Sequence, residues 1–147
     1  VLITEAAQVD SLTRKLMRIG LDNVIGYITG ADIQAWELSL EKTEVIDIEA
    51  FKSLLGKPDV QVIDVRNLGE YDAGHITGVE HLFVGTLNQH LDKVDKNKQV
   101  VIHCQSGVRA AIAHSILAAG GFKNVKVYSG GMNEWLAGDN PVVRDDQ

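Results

Sequence analysis

From Thr43 onward, short apolar runs alternate with amphipathic stretches. Glu44-Val45-Ile46 reads as a strand running into Asp47, a good N-cap, and predicts a helix over Ile48 to Leu55. Gln61-Val62-Ile63-Asp64-Val65 reads as a buried strand, and Gly74 and Gly78 bracket a turn holding His75 and Ile76. Glu80 to Val84 reads as another strand, and Gln99 to His103 as a third continuous apolar run. A polar loop follows, then a helix from Val108 to Ala119, a strand from Val125 to Tyr128 and a short helix from Met132 to Leu136. Apolar strands joined by helices of this length predict an α/β fold, a parallel sheet with helices on both faces.

The first forty residues follow the same rhythm. Val1 to Glu5 is similar to Val100 to Cys104, and Leu16 to Gly20 to Leu117 to Gly121. Asn23-Val24, Tyr27 and Gly30 match Asn124-Val125, Tyr128 and Gly131 at one offset, with Trp36 near the counterpart of Trp135. Residues 1–40 are therefore expected to be the C-terminal half of a second, degenerate copy of the βαβ unit, and 41–147 the complete copy. Glu5 would stand about where Cys104 stands. Half a domain cannot cover both faces of its strands, so a missing upstream region or another chain is expected to cover residues 1–40. On this reading the chain is the C-terminal piece of something longer. Trp36 and Trp135 are expected in the cores of their terminal helices.

Composition narrows the function classes. The 147 residues are 45% hydrophobic and 23% charged, with a net charge of −6. That balance argues against a nucleic-acid binder, which needs clustered Lys and Arg. No apolar run approaches the roughly 18 residues that span a bilayer. One cysteine excludes an internal disulfide, and a free thiol suits a reducing compartment, hence a cytoplasmic setting. The five histidines do not fall into a Cys/His metal spacing, so no metal is expected.

Chemistry concentrates in Cys104-Gln105-Ser106-Gly107-Val108-Arg109. The stretch lies between a buried strand and a helix, where ligands sit in parallel sheets. Backbone N–H groups at the helix start lack partners, and Gly107 lets the chain curl tightly. The expected result is a ring of N–H donors, from residues 105 to 108, around the Cys104 sulfur. Such a ring suits a thiolate and equally a persulfide anion. Arg109 adds a fork suited to oxyanions, and Ser106 is a further donor. An inert buried thiol would explain a lone cysteine but not Gly and Arg at these offsets. The spacing is C-x4-R; a cysteine phosphatase uses C-x5-R, and the tighter ring fits one outer sulfur better than a phosphoryl group.

With these residues in view, 43–147 resembles a rhodanese domain. The resemblance rests on Val62-Ile63-Asp64-Val65-Arg66, Glu70-Tyr71, Gly74-His75-Ile76 with Gly78, the Cys104 loop, and Tyr128-Ser129-Gly130-Gly131 with Trp135. It implies a five-stranded parallel sheet with helices on both sides. It also implies a cofactor-free sulfurtransferase, in which thiosulfate or a low-molecular-weight persulfide loads Cys104 and a thiol, sulfite or cyanide takes the sulfur. Cys104 and Arg109 would be catalytic, Gln105, Ser106, Gly107 and Val108 would bind substrate, and Asp64, Arg66 and Glu70 would form a supporting charge network. His75 is expected to stabilise its turn and His103 to pack. The half-repeat gives a narrower resemblance, to fusions of a metallo-β-lactamase-like persulfide dioxygenase with a degenerate and then a catalytic rhodanese domain, acting in sulfide detoxification. Two other readings remain: a non-catalytic binding or regulatory module of the same fold, and a small cysteine phosphatase or arsenate reductase.

Overall fold

In this protein the order of the strands decides where the loop chemistry is placed. The computed structural model describes residues 1–36 and 42–144. The chain divides into two compact units, Val1–Glu41 and Lys42–Gln147. The boundary expected at residues 40 and 41 lies outside the described residues.

The larger unit runs β3 (Glu44–Ile46), α3 (Ile48–Leu54), β4 (Val60–Asp64), α4 (Leu68–Asp72), β5 (Glu80–His81), β6 (Gln99–His103), α5 (Val108–Ala119), β7 (Val125–Tyr128) and α6 (Gly131–Ala137). Its five strands are all parallel, in the order β3-β7-β6-β4-β5. The central strand is β6, with Ile102 opposite Ile63 of β4 on one side and Val127 of β7 on the other. Alternate residues serve opposite faces. Ile63, Val100, Ile102 and Val127 pack on one face with Ala113 and Leu117 of α5. Val62, Val101 and Tyr128 pack on the other with Phe51 of α3 and Met132 and Trp135 of α6. Phe51 stacks on Tyr128 at 4.3 Å and meets Trp135 edge-on at 5.9 Å.

Local signals set the helix starts. The Asp47 carboxylate accepts the Ala50 N–H at 2.8 Å and caps α3. Asn67 and Glu70 form a reciprocal capping box at the head of α4. The strand expected over Glu80 to Val84 is regular only at Glu80–His81. As the sheet edge it has a single neighbour, and it continues irregularly, with the Leu82 N–H donating to Asp64 and the Val84 N–H to Val65.

The smaller unit contains β1 (Leu2–Ile3), α1 (Val9–Met17), β2 (Tyr27–Ile28) and α2 (Gly30–Ala35). Its two strands are parallel, with Leu2 opposite Tyr27. In the larger unit His103 stands opposite Tyr128. If Tyr27 is aligned with Tyr128, this register puts Ile3, rather than Glu5, at the counterpart of Cys104. Helix α1 closes with Gly20 N–H to Met17 and Leu21 N–H to Leu16, as α5 closes with Gly121 N–H to Ala118 and Phe122 N–H to Leu117. Gly20 and Gly121 both take positive φ, 79° and 83°, as this helix ending requires. None of the described residues of the smaller unit is buried. Trp36, expected to pack on its helix, is 46% exposed, whereas Trp135 is buried and donates to the Pro141 carbonyl at 2.9 Å.

Candidate active site

Cys104 is the first residue beyond the central strand β6, and its side chain is 1% exposed. Gly107 turns the chain at φ 87°, and its N–H donates to the Cys104 Sγ at 3.2 Å. A Cβ on residue 107 would stand 2.8 Å from the Ser129 carbonyl oxygen, so both the dihedral and the space demand glycine here.

The loop is held from behind by α6. The Met132 N–H donates to the Cys104 carbonyl at 2.9 Å and the Asn133 N–H to the Gln105 carbonyl at 3.0 Å. These are N–H groups of the first helical turn, which have no partner within their own helix. Because a trans peptide points its C=O and N–H in opposite directions, the N–H groups of Gln105 and Ser106 face away from α6. The Gln105 side chain is also tied back, donating to Asn133 Oδ1 at 2.6 Å. Ser106 and Val108 are exposed at the turn.

Arg109 sits on the first turn of α5, and its fork is occupied. Nη1 and Nη2 donate to the two carboxylate oxygens of Glu70 at 2.5 and 2.7 Å. Hydrogen bonding from Arg109 holds the Glu70 carboxyl below the usual glutamate range, opposed by its partial burial and helped by the Asn67 N–H. The same bond raises Arg109, with smaller support from the charges of Glu70 and Cys104. Glu70 thus gives its carboxylate hydrogen bonds to Arg109 and the Asn67 cap, while the charge of Arg66 still acts on it.

Asp64 and Arg66 make a separate, buried pair. Arg66 Nε donates to Asp64 Oδ2 at 2.8 Å, and Nη2 reaches Asp64 Oδ2 at 2.7 Å and the Gly74 carbonyl at 2.9 Å. His81 Nε2 lies 2.8 Å from the Arg66 carbonyl oxygen. The pair anchors the Gly74–Gly78 turn, where His75 stacks on Tyr71 at 3.8 Å and its Nδ1 lies 3.1 Å from the Tyr71 carbonyl. His103 is fully buried against the edge of Phe51, with Nε2 3.9 Å from Asp64. Burial, more than the opposing pull of Asp64, pushes its imidazole toward the neutral form. A cavity of about 230 Å³ lies beyond Glu70, lined by Arg66, Glu70, Gly74, Met132, Val142 and Arg144, and Cys104 is not part of its wall.

The sequence reading missed α6 as part of the site. Its signal was the Gly130-Gly131 pair. Gly131 has φ 57°, and a Cβ there would lie 2.8 Å from the Gln105 carbonyl oxygen. Among the described residues no group of three His, Cys, Asp or Glu side chains is arranged to hold a metal ion. No helix among them is long and apolar enough to cross a membrane.

Residues 47–138 match the model of the Rhodanese-like domain. The chain is 32% identical over 94 residues to the thiosulfate sulfurtransferase GlpE of Coxiella burnetii, covering 64% of this chain and 87% of that protein. It is 33% identical over 91 residues to the putative sulfur carrier protein YrkF of Bacillus subtilis, a match to 61% of this chain that spans 49%, about half, of that relative. A rhodanese-like domain protein of Staphylococcus aureus superposes with a TM-score of 0.63 at 30% identity, covering 71% of this chain and all of that one.

Proposed function

Because the chain belongs to the rhodanese-like domain family, we propose that residues 42–147 form a sulfurtransferase that carries sulfane sulfur on Cys104. The observation that supports this most directly is the Gly107 N–H on the Cys104 sulfur, in a loop whose carbonyls are drawn off by α6. A loop wired this way presents donors to a sulfur anion at no reorganisation cost. The Cys104 thiolate attacks the outer sulfur of a donor, thiosulfate or a low-molecular-weight persulfide. A new S–S bond forms, the donor's S–S bond breaks, and sulfite or a thiolate leaves with the electron pair. An acceptor thiol, sulfite or cyanide then takes the outer sulfur and returns the Cys104 thiolate. Arg109, clamped by Glu70, stands on the first turn of the helix that follows the loop. No metal or organic cofactor is needed in this scheme.

Intact-mass spectrometry after exposure to a donor tests the reading. One adduct of about 32 Da, removed by a thiol and missing in Cys104→Ser, is expected. A wild-type chain that stays unmodified would favour the alternative of a non-catalytic binding module, for which the deep burial of Cys104 is the supporting observation.

We further propose that residues 1–41 are half of a degenerate copy of the same fold. The matched helix endings, the shared parallel register and the lack of buried residues among the described ones support this. The complementary half would add a strand beside β1 as β4 lies beside β6, and another beside β2 as β3 lies beside β7. An upstream persulfide dioxygenase domain, a role in sulfide detoxification and a cytoplasmic setting belong to this same proposal.

A further inference from the structure

We propose that Glu70 sets the class of sulfur donor: by filling the fork of Arg109 it selects thiol persulfides over oxyanion donors such as thiosulfate. The inference rests on the reading that Cys104 carries sulfur, and it asks which donor delivers that sulfur.

A sulfonate end is a multiply charged group that binds where a guanidinium offers two parallel N–H bonds. The Arg109 fork already spends both on one carboxylate. That carboxylate is itself held from a second side, because Glu70 Oε2 also accepts from the Asn67 backbone N–H at 3.3 Å and from Asn67 Nδ2 at 2.5 Å. A donor that displaced it would have to break the cap of α4 and leave a partly buried anion beside its own charge. Arg66 is no substitute, since its guanidinium is buried on Asp64 and the Gly74 carbonyl. Arg144 donates through Nε to the Ala73 carbonyl and faces the cavity that Cys104 does not line. The loop from Cys104 to Val108 contains no lysine or arginine.

A thiol persulfide asks for less. The Cys104 thiolate attacks the outer sulfur of R–S–S–H to give Cys104–S–S–H and R–S⁻. One S–S bond replaces another, the proton stays on the transferred sulfur, and nothing is oxidised or reduced overall. The single negative charge on the departing thiolate is met by the outward N–H groups of the loop and asks for no free guanidinium. Exposed Leu68 and Val108, two residues and one residue before the members of the ion pair, offer apolar surface to the organic group R.

Single-turnover loading of Cys104, followed by mass, would compare thiosulfate with glutathione persulfide in the wild type, Glu70→Gln and Glu70→Ala. Glutamine retains the capping-box geometry, so the α4 cap survives in the first variant. The wild type is expected to load from the persulfide about tenfold more efficiently than from thiosulfate. Either variant should narrow that ratio by about five- to tenfold through faster thiosulfate loading. A general folding defect would slow both donors together and leave the ratio unchanged. An unchanged ratio in folded variants, or a wild type that prefers thiosulfate, would overturn the proposal. If the wild type loads from neither donor, the sulfur-carrier reading itself fails.

Discussion

The backbone of Gly131 lies against the carbonyl oxygen of Cys104, nearer than a Cβ could come, and takes the left-handed φ of 57°. This contact lets α6 draw the Cys104 loop against its own first turn. Gly131→Ala should therefore cost about 1–3 kcal/mol of stability from the dihedral alone. It should also slow sulfur loading by more than the unfolded fraction explains. Urea titration and the mass adduct read the two effects separately. Normal loading in the folded variant would show that the latch is dispensable.

The Asp64–Arg66 pair is buried on both sides, unlike the half-open Glu70–Arg109 pair. Removing one member of such a pair strands the other charge, at a cost of about 3–5 kcal/mol. Asp64→Asn is expected to lose stability in that range by urea titration. Because Arg66 also ties the Gly74 carbonyl, exchange of the amides in the Gly74–Gly78 turn should accelerate with it.

His103 gives the protein a slope on the acid side of neutrality. Burial lowers its basicity in the folded state, so below the ordinary histidine value the unfolded chain binds a proton that the folded chain refuses. Stability contributed by the neutral ring is complete above about pH 6.5 and declines as pH falls below it. Asp64 and Arg66 are the charged groups facing the ring, and their opposed effects leave burial dominant. In His103→Leu the decline between about pH 6.5 and 5 should flatten in a series of urea titrations. An unaltered slope would place that titration elsewhere.

Amide exchange should separate the two units. The N–H groups of Leu2 and Thr4 donate to the carbonyls of Gly26 and Ile28, in a unit none of whose described residues is buried. They are expected to exchange far faster than those of β6, which is covered on both faces. Equal protection would show that residues 1–41 are covered already and need no complementary half.

Much of the larger unit was legible because its inner strands β4, β6 and β7 are buried on both sides. β6 and α5 begin and end where the apolar run and Gly107 place them. β5 was read too long because apolar Leu82 and Val84 serve the core from an irregular edge. The site was legible only along the chain. The Cys104 loop is contiguous, and its spacing carries the reading. Glu70 and Arg109 are far apart in sequence, and nothing local tells a carboxylate which of two arginines it will meet. The same limit hid α6, whose contribution comes from backbone N–H groups that every helix start possesses.

That contribution has a consequence for how the site comes into being. The loop follows the central strand, yet the donors that orient its peptides belong to the last helix of the fold. A chain synthesised as far as α5 holds every side chain of the candidate site without the scaffold that aims it. On this structure the site is assembled last, and a nascent or truncated chain lacking α6 would carry the Cys104 loop without the two N–H groups that hold its carbonyls.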